Sequence, residues 1–256
     1  MNHFNSYGTY VLIIREVRRF LKVYNQTIIA PVVTALIFLS IFALAIGDSA
    51  KTIHGIPFID FIGYGLIIMS IVQNSFANSS SSLIMARVLG YVTDILMTPF
   101  GGLELLCAYI AGSLVRSLVV ASLLTILLSF VIELRLHSTF LLIYYVLIAS
   151  IFMSVIGVLS ALLTDNFDQN SAITSYIITP LSFLSGTFYS IESLPTWLKY
   201  INLVNPFFYI IDGFRYCLIG SSDGNIIFGE LYLLLLTFIA TTFAARLIDS
   251  GWKLKQ

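Results

Sequence analysis

The sequence predicts an all-α polytopic membrane protein with six transmembrane helices, an amphipathic interface helix ahead of them and short outer helices between the fifth and sixth. Hydrophobic residues make up 58% of the 256-residue chain and charged residues 10%, against roughly 25% charged in a soluble domain. Mean hydropathy is +0.96. The apolar residues gather into runs of about twenty, the length at which a helix rising ~1.5 Å per residue crosses a ~30 Å hydrocarbon layer. Six runs and their short connections occupy the chain, which reads as one membrane domain over residues 1–256.

Ahead of the first run, Tyr10, Ile13, Ile14, Val17, Leu21 and Tyr24 recur at helical spacing, with Arg15, Arg18, Arg19 and Lys22 on the other face. Such a basic amphipathic helix lies in the headgroup plane, its cations near anionic lipid. It is either an anchor that sets topology or also a cradle for a cytoplasmic partner. The first span, 27–46, has the length of a crossing and lacks a small-residue cleavage pattern, so a cleaved signal is not expected.

The second span, 61–82, is polar for a membrane helix. Ser70, Gln73, Asn74, Ala77, Asn78 and Ser81 recur three or four apart and form one stripe. Amides facing lipid are costly, so the stripe faces protein or a water-filled path. Interhelical hydrogen bonding and a path lining formed by Gln73, Asn74 and Asn78 both satisfy that requirement. The third span, 105–132, carries Arg116 about eleven residues in. A cation that deep faces the bundle interior, where it serves the path or pairs with carbonyls and polar groups of the second span. In the fourth span, 139–163, Ser150, Ser154, Gly157 and Ala161 form a small-residue stripe suited to close packing. The fifth and sixth spans are 172–191 and 226–246.

Lys and Arg on the side of the termini number eight, and those on the opposite side number four, with Arg116 inside a span. The positive-inside rule then puts both termini in the cytoplasm. Thirteen basic residues balance thirteen acidic ones, leaving no footprint for nucleic acid. The carboxylates fall in loops or near span ends, which disfavours ion coupling through midplane acids. Cys107, at a helix start, and Cys217, in a loop segment, lack metal-ligand spacing. The sequence contains no HExxH, no GxSxG and no GxxxxGK[ST] phosphate loop, so neither a catalytic site nor a metal or cofactor site is expected on this chain.

The connection 190–225 is the most distinctive stretch. Pro195 and Pro206 each suit the first turn of a helix, predicting two short helices, and Trp197 with the tyrosines would seat them at the interface. Here the chain resembles the type-2 ABC transporter permeases, the membrane subunits of bacterial exporters. The match is carried by Leu194, Pro195, Pro206, Phe207, Tyr209 and Arg215, preceded by Gly186, Thr187, Phe188 and Tyr189. Residues 87–99 look like that family's cytoplasmic coupling helix, with Arg87, Gly90, Asp94 and Pro99 at its basic, small, acidic and proline positions and Asp94 where Glu is commoner.

The resemblance implies a homodimeric permease in the bacterial inner membrane. It also implies two copies of a separately encoded ATPase that binds ATP and Mg, and a drug, lipid-linked molecule or polysaccharide as cargo. An ATP-independent channel or secondary transporter, and a scaffold that moves nothing, are the readings from other classes.

Overall fold

A computed structural model describes residues 5–46, 52–91, 100–191 and 194–253. Among them are nine helices and one two-stranded hairpin. Helix α1 (Ser6–Lys22) starts at Asn5, whose side chain accepts from the Gly8 amide at 2.9 Å, an N-cap that satisfies one of the orphan donors of the first turn. It runs into α2 (Ala30–Ile46) through a π turn at Asn25–Ile29. At that junction the Thr27 hydroxyl donates to the carbonyls of Phe20 (2.8 Å) and Val23 (3.1 Å), competing with the regular ladder and widening the turn.

Strands β1 (Thr52–Ile53) and β2 (Ile56–Pro57) pair antiparallel across His54 and Gly55. Both turn residues have positive φ, 51° and 76°, the conformation a tight two-residue hairpin demands. The sequence reading contained no such hairpin.

Helix α3 (Phe58–Val88) is 31 residues long, about 46 Å at ~1.5 Å per residue. It is buried along almost its whole length, with α4 (Gly102–Leu128) and α5 (Thr139–Leu163) packed against it. The small-residue stripe of α5 makes that approach possible. A Cβ on Gly157 would lie 2.2 Å from the Ser79 hydroxyl and 2.5 Å from the Phe76 carbonyl oxygen, and the Ser79 hydroxyl donates to the Ser154 carbonyl at 2.7 Å.

Among the described residues, five helical stretches are long and apolar enough to cross a membrane: Asn25–Leu44, Phe58–Val88, Gly102–Leu128, Thr139–Leu163 and Ile226–Ser250. The span expected at 172–191 is instead a composite helix, α6, covering 167–187. It alternates α segments (Phe167–Ile173, Thr179–Ser182) with π turns (Thr174–Ile178, Phe183–Thr187). Pro180 removes one ladder donor. The hydroxyls of Thr174, Ser182, Ser185 and Thr187 each bond a carbonyl one turn back, which loosens the ladder further.

The outer connection forms α7 (Thr196–Val204) and α8 (Pro206–Ile219), followed by α9 (Ile226–Ser250). Pro206 opens α8 and Pro195 caps α7. Cys217 lies buried inside α8, not in a loop, and Cys107 is exposed on α4.

Both described chain ends lie at the same end of the bundle. The Asn5 amide donates to Glu104 at the start of α4, and the Gly102 amide donates to Asp249 near the end of α9 at 2.5 Å. A smaller apolar cluster around Leu83, Tyr109, Val158 and Ile248 fills this end, and a larger one around Phe61, Tyr64, Tyr145 and Phe214 fills the middle and the opposite end. Val33, Ile37 and Ile41 on α2 and Leu231, Leu235 and Phe238 on α9 remain exposed, rows suited to acyl chains.

Candidate functional site

The polar stripe of α3 divides between two destinations. Asn78 and Ser81 meet α1: one Arg19 nitrogen, Nη2, donates to both the carbonyl and the side-chain oxygen of Asn78 at 2.9 Å, and Nη1 reaches the Ser81 hydroxyl at 3.4 Å. The Asn78 amide nitrogen donates to Ser113 of α4 (3.2 Å), which also accepts from Ser154 of α5 (3.1 Å). Four helices thus share one hydrogen-bonded seam.

Glu16 completes this seam, and the sequence reading passed it over. Its carboxylate is 1% exposed, accepts from Ser82 at 2.6 Å and pairs with Arg15 (2.9 Å) and Arg19 (3.3 Å). Buried carboxylates persist only when paired in this way. The protein-facing stripe of α1 is Thr9, Leu12, Glu16 and Phe20. Tyr10, Leu21 and Tyr24, read from the sequence as part of the face toward the acyl boundary, are exposed, as are Arg15, Arg18 and Lys22. The signal was present in the four-residue spacing of Leu12, Glu16 and Phe20, but a charge in a basic interfacial helix reads as solvated.

Nearer the middle of α3, Gln73 and Asn74 line a cavity of about 320 Å³ bounded by α2, α3 and α6. Arg116 reaches its wall from α4. The side chain is 7% exposed, donates from Nη2 to the Asn74 side-chain oxygen (3.1 Å) and from Nε to the Thr27 carbonyl (3.3 Å). Gln26, Thr34, Ser70, Thr174 and Thr179 add polar groups to the lining, and Phe38, Leu66, Met69, Phe76 and Ile178 supply an apolar wall. Gln73, Asn74 and Arg116 are therefore brought together at one cavity, whereas Asn78 belongs to the seam with α1.

At the C-terminal end of α3, Arg87 Nη1 donates to the carbonyls of Ala161 (2.7 Å) and Thr164 (2.5 Å), and Arg87 faces Asp165 at 3.7 Å. Lys253 closes on the same carboxylate at 3.0 Å. These two cations hold the Asp165 carboxyl below its usual range, Lys253 having the larger effect. Arg87 thus anchors the start of the expected coupling segment to α5 and to the loop before α6. Gly90 follows with φ 79°. Asp94 and Pro99 lie outside the described residues.

At the opposite end of the bundle, Arg215 is 3% exposed. Its guanidinium carbon sits 3.6 Å over the Phe61 ring, and Nη2 donates to the Gly186 carbonyl at 2.8 Å. It thereby ties α8 to the end of α6 and to α3. Tyr209 donates to the Leu203 carbonyl (2.9 Å) and packs its ring against Phe208, Phe228 and Tyr232. Leu194 packs against the larger apolar cluster. Asp223 accepts from Ser190 (2.9 Å) and the Ile191 amide (2.9 Å) and contacts His54 (2.7 Å), while Asp212 accepts from the amides of Asp223 and Gly224, both at 2.9 Å. Among the described residues no group of three His, Cys, Asp or Glu could hold a metal ion.

This arrangement, a polar-cored helical bundle with an aromatic cap formed by α7 and α8, coincides with a family match. Residues 7–219, from α1 to the end of α8, match the family model of the ABC-2 type transporter. The chain belongs to the ABC-2 type transporter family. It is also 30% identical over 226 residues to the inner membrane transport permease YadH of Escherichia coli strain K12, with 88% of each chain covered. The Shigella flexneri protein of the same name matches over the same extent, at the same identity. The chain is thus a permease subunit of the ABC-2 type, whose membrane domain lacks the ATPase domain, and the family implies pairing with an ABC ATPase that carries hydrolysis. The family match includes α1, α3 and the outer motif, and it stops before α9.

Proposed function

We propose that this ABC-2 chain is the permease subunit of an ATP-driven exporter in the bacterial inner membrane, with both termini cytoplasmic, working as a homodimer with two copies of a separate ATPase. The observation that carries the reading is α3. One unbroken 31-residue helix joins the segment expected to dock on the ATPase to the cavity wall and to the outer cap. A push at its inner end reaches the far side without passing through a loop. The excess of Lys and Arg on the side of the termini supports the cytoplasmic assignment, and the permeases named above are inner membrane proteins by their names.

In this mechanism the ATPases close on ATP and displace residues 87–99 together with α1. Differential contact with the ATP-bound and ATP-free partner is what moves the equilibrium. Arg87 carries the displacement into α5 and the start of α6, and the seam of Arg19, Glu16, Asn78 and Ser82 carries the movement of α1 into α3. The cavity lined by Gln73, Asn74 and Arg116 lies on the path, a second copy closes its open side, and the cap formed by α7 and α8 covers its outer mouth. ATP and Mg bind the partner only.

The test is co-expression with a phosphate-loop ATPase, purification and reconstitution in vesicles. Co-purification and ATP-dependent flux are expected, with both lost when residues 87–99 are substituted. Flux through the chain alone, independent of ATP, would sink the proposal.

A further inference from the structure

We infer that the cavity between α2, α3 and α6 is a binding site for an anionic amphiphile, with Arg116 holding a phosphate- or carboxylate-type headgroup and the apolar wall holding a hydrocarbon tail. Arg116 is 7% exposed and makes no ion pair with any described carboxylate. The charged side chain acting on it is Arg19, of like sign. Its two hydrogen bonds go to neutral oxygens and leave most of its N–H donors without an acceptor among the described residues. A cation kept inside a membrane bundle is costly unless an anion compensates it. The cavity opens at the guanidinium, and the missing negative charge belongs there.

The lining selects the rest of the ligand. Gln73 and the second N–H of the Asn74 amide flank Arg116 with neutral donors, which suit headgroup oxygens, while the Ser70 hydroxyl donates to the Ile67 carbonyl at 2.7 Å. Phe38, Leu66 and Ile178 supply the apolar side. A volume of about 320 Å³ lies at the small end of the range for small-molecule sites, roughly 300–1,000 Å³. It admits a headgroup and part of a chain rather than a whole two-tailed lipid. Guanidinium favours planar, bidentate recognition of phosphate or carboxylate. A cationic or neutral amphiphile would leave Arg116 uncompensated.

Occupancy of the site stands independently, while its identification as the cargo site rests on the proposed function. The probe is dodecyl phosphate, added to the purified chain in non-ionic detergent and counted by native mass spectrometry. Dodecyltrimethylammonium and inorganic phosphate form the other arms. The wild type is expected to bind dodecyl phosphate at least about tenfold more tightly than either comparator, and Arg116→Gln to lose about tenfold, with Arg116→Lys, which keeps the charge but not the bidentate fork, falling between the two. Ala77→Phe, which leaves Arg116 in place and fills the cavity, is expected to lose binding as well.

Equal affinity for the phosphate and the ammonium head, or binding unchanged in both Arg116→Gln and Ala77→Phe, overturns the site. Inorganic phosphate binding as tightly as dodecyl phosphate overturns the tail. In vesicles with the partner ATPase, binding without any stimulation of hydrolysis overturns the cargo assignment. ATP-driven flux without dodecyl phosphate binding overturns the site and leaves the permease reading standing.

Discussion

Arg19 of α1 grips Asn78 of α3 through a single nitrogen that lies 2.9 Å from both the backbone and the side-chain oxygen. Because the same guanidinium also pairs with Glu16, Arg19→Ala would remove a partner from a carboxylate that is 1% exposed. Breaking a partly buried pair from one side costs about 2–4 kcal/mol. The expected outcome is a lower thermal midpoint in detergent and faster amide exchange confined first to α1. Glu16→Gln combined with Arg19→Ala should recover part of the loss, since no unpaired charge is then buried. If the double variant is less stable than the sum of the singles, the pairing is not what holds α1.

Gly157 offers a second, purely steric prediction. Its missing Cβ leaves room for the Ser79 hydroxyl and the Phe76 carbonyl. Gly157→Val forces α5 away from α3 along the most extensive contact in the bundle, at a cost of about 3 kcal/mol or more. A loss of folded yield is expected, with Gly157→Ala intermediate, and Ser79→Ala should relieve part of the Gly157→Ala defect because it removes the nearest obstructing atom. Fluorescence-detected size exclusion reads both effects.

How much of this was legible depends on what competed with the hydrophobic pattern. Helix α5 runs over the residues expected, 139–163, because an apolar run framed by Ser138 and Thr164 offers the backbone no alternative. The α6 segment differs because hydroxyls at Thr174, Ser182, Ser185 and Thr187 and the ring of Pro180 each break the regular ladder, and hydropathy is blind to that competition. The polar stripe of α3 was visible as a stripe. Its division was not, since Asn74 and Asn78 share one helix face and differ only in the neighbours that other parts of the chain bring to them, Arg116 and Arg19. Glu16 was hidden for the same reason: its burial is decided by α3 and α4, far away in sequence.

At the end of the bundle that carries α7 and α8, Asp223 joins the hairpin, the segment after α6 and the loop after α8 through His54, Ser190 and the Ile191 amide. Asp223→Ala removes all of these acceptor contacts and leaves the bundle core untouched. The expected result is faster exchange at 52–57 and 186–191 with little change in the thermal midpoint of the bundle. Unchanged protection in those segments would mean that the Phe188, Phe183 and Phe38 ring cluster, not the carboxylate, holds the cap.

The latch between Asp165, Lys253 and Arg87 makes a pH prediction with a definite sign. Lys253 and Arg87 lower the Asp165 carboxyl from its ordinary 3.8, so the folded state favours the charged form and the latch is fully present above that ordinary value. It is lost as pH falls through the lowered folded value. Residue 253 and the loop at 164–166 should therefore loosen only below about pH 4, the ordinary carboxylate range. Asp165→Asn should show the loosened behaviour at every pH, and Arg87 should still hold the Ala161 and Thr164 carbonyls in that variant. Limited proteolysis by trypsin after Lys253 at neutral pH compares the two: faster cleavage in Asp165→Asn is expected, and equal rates would show that the Lys253 bond to the Leu163 carbonyl suffices to hold the tail.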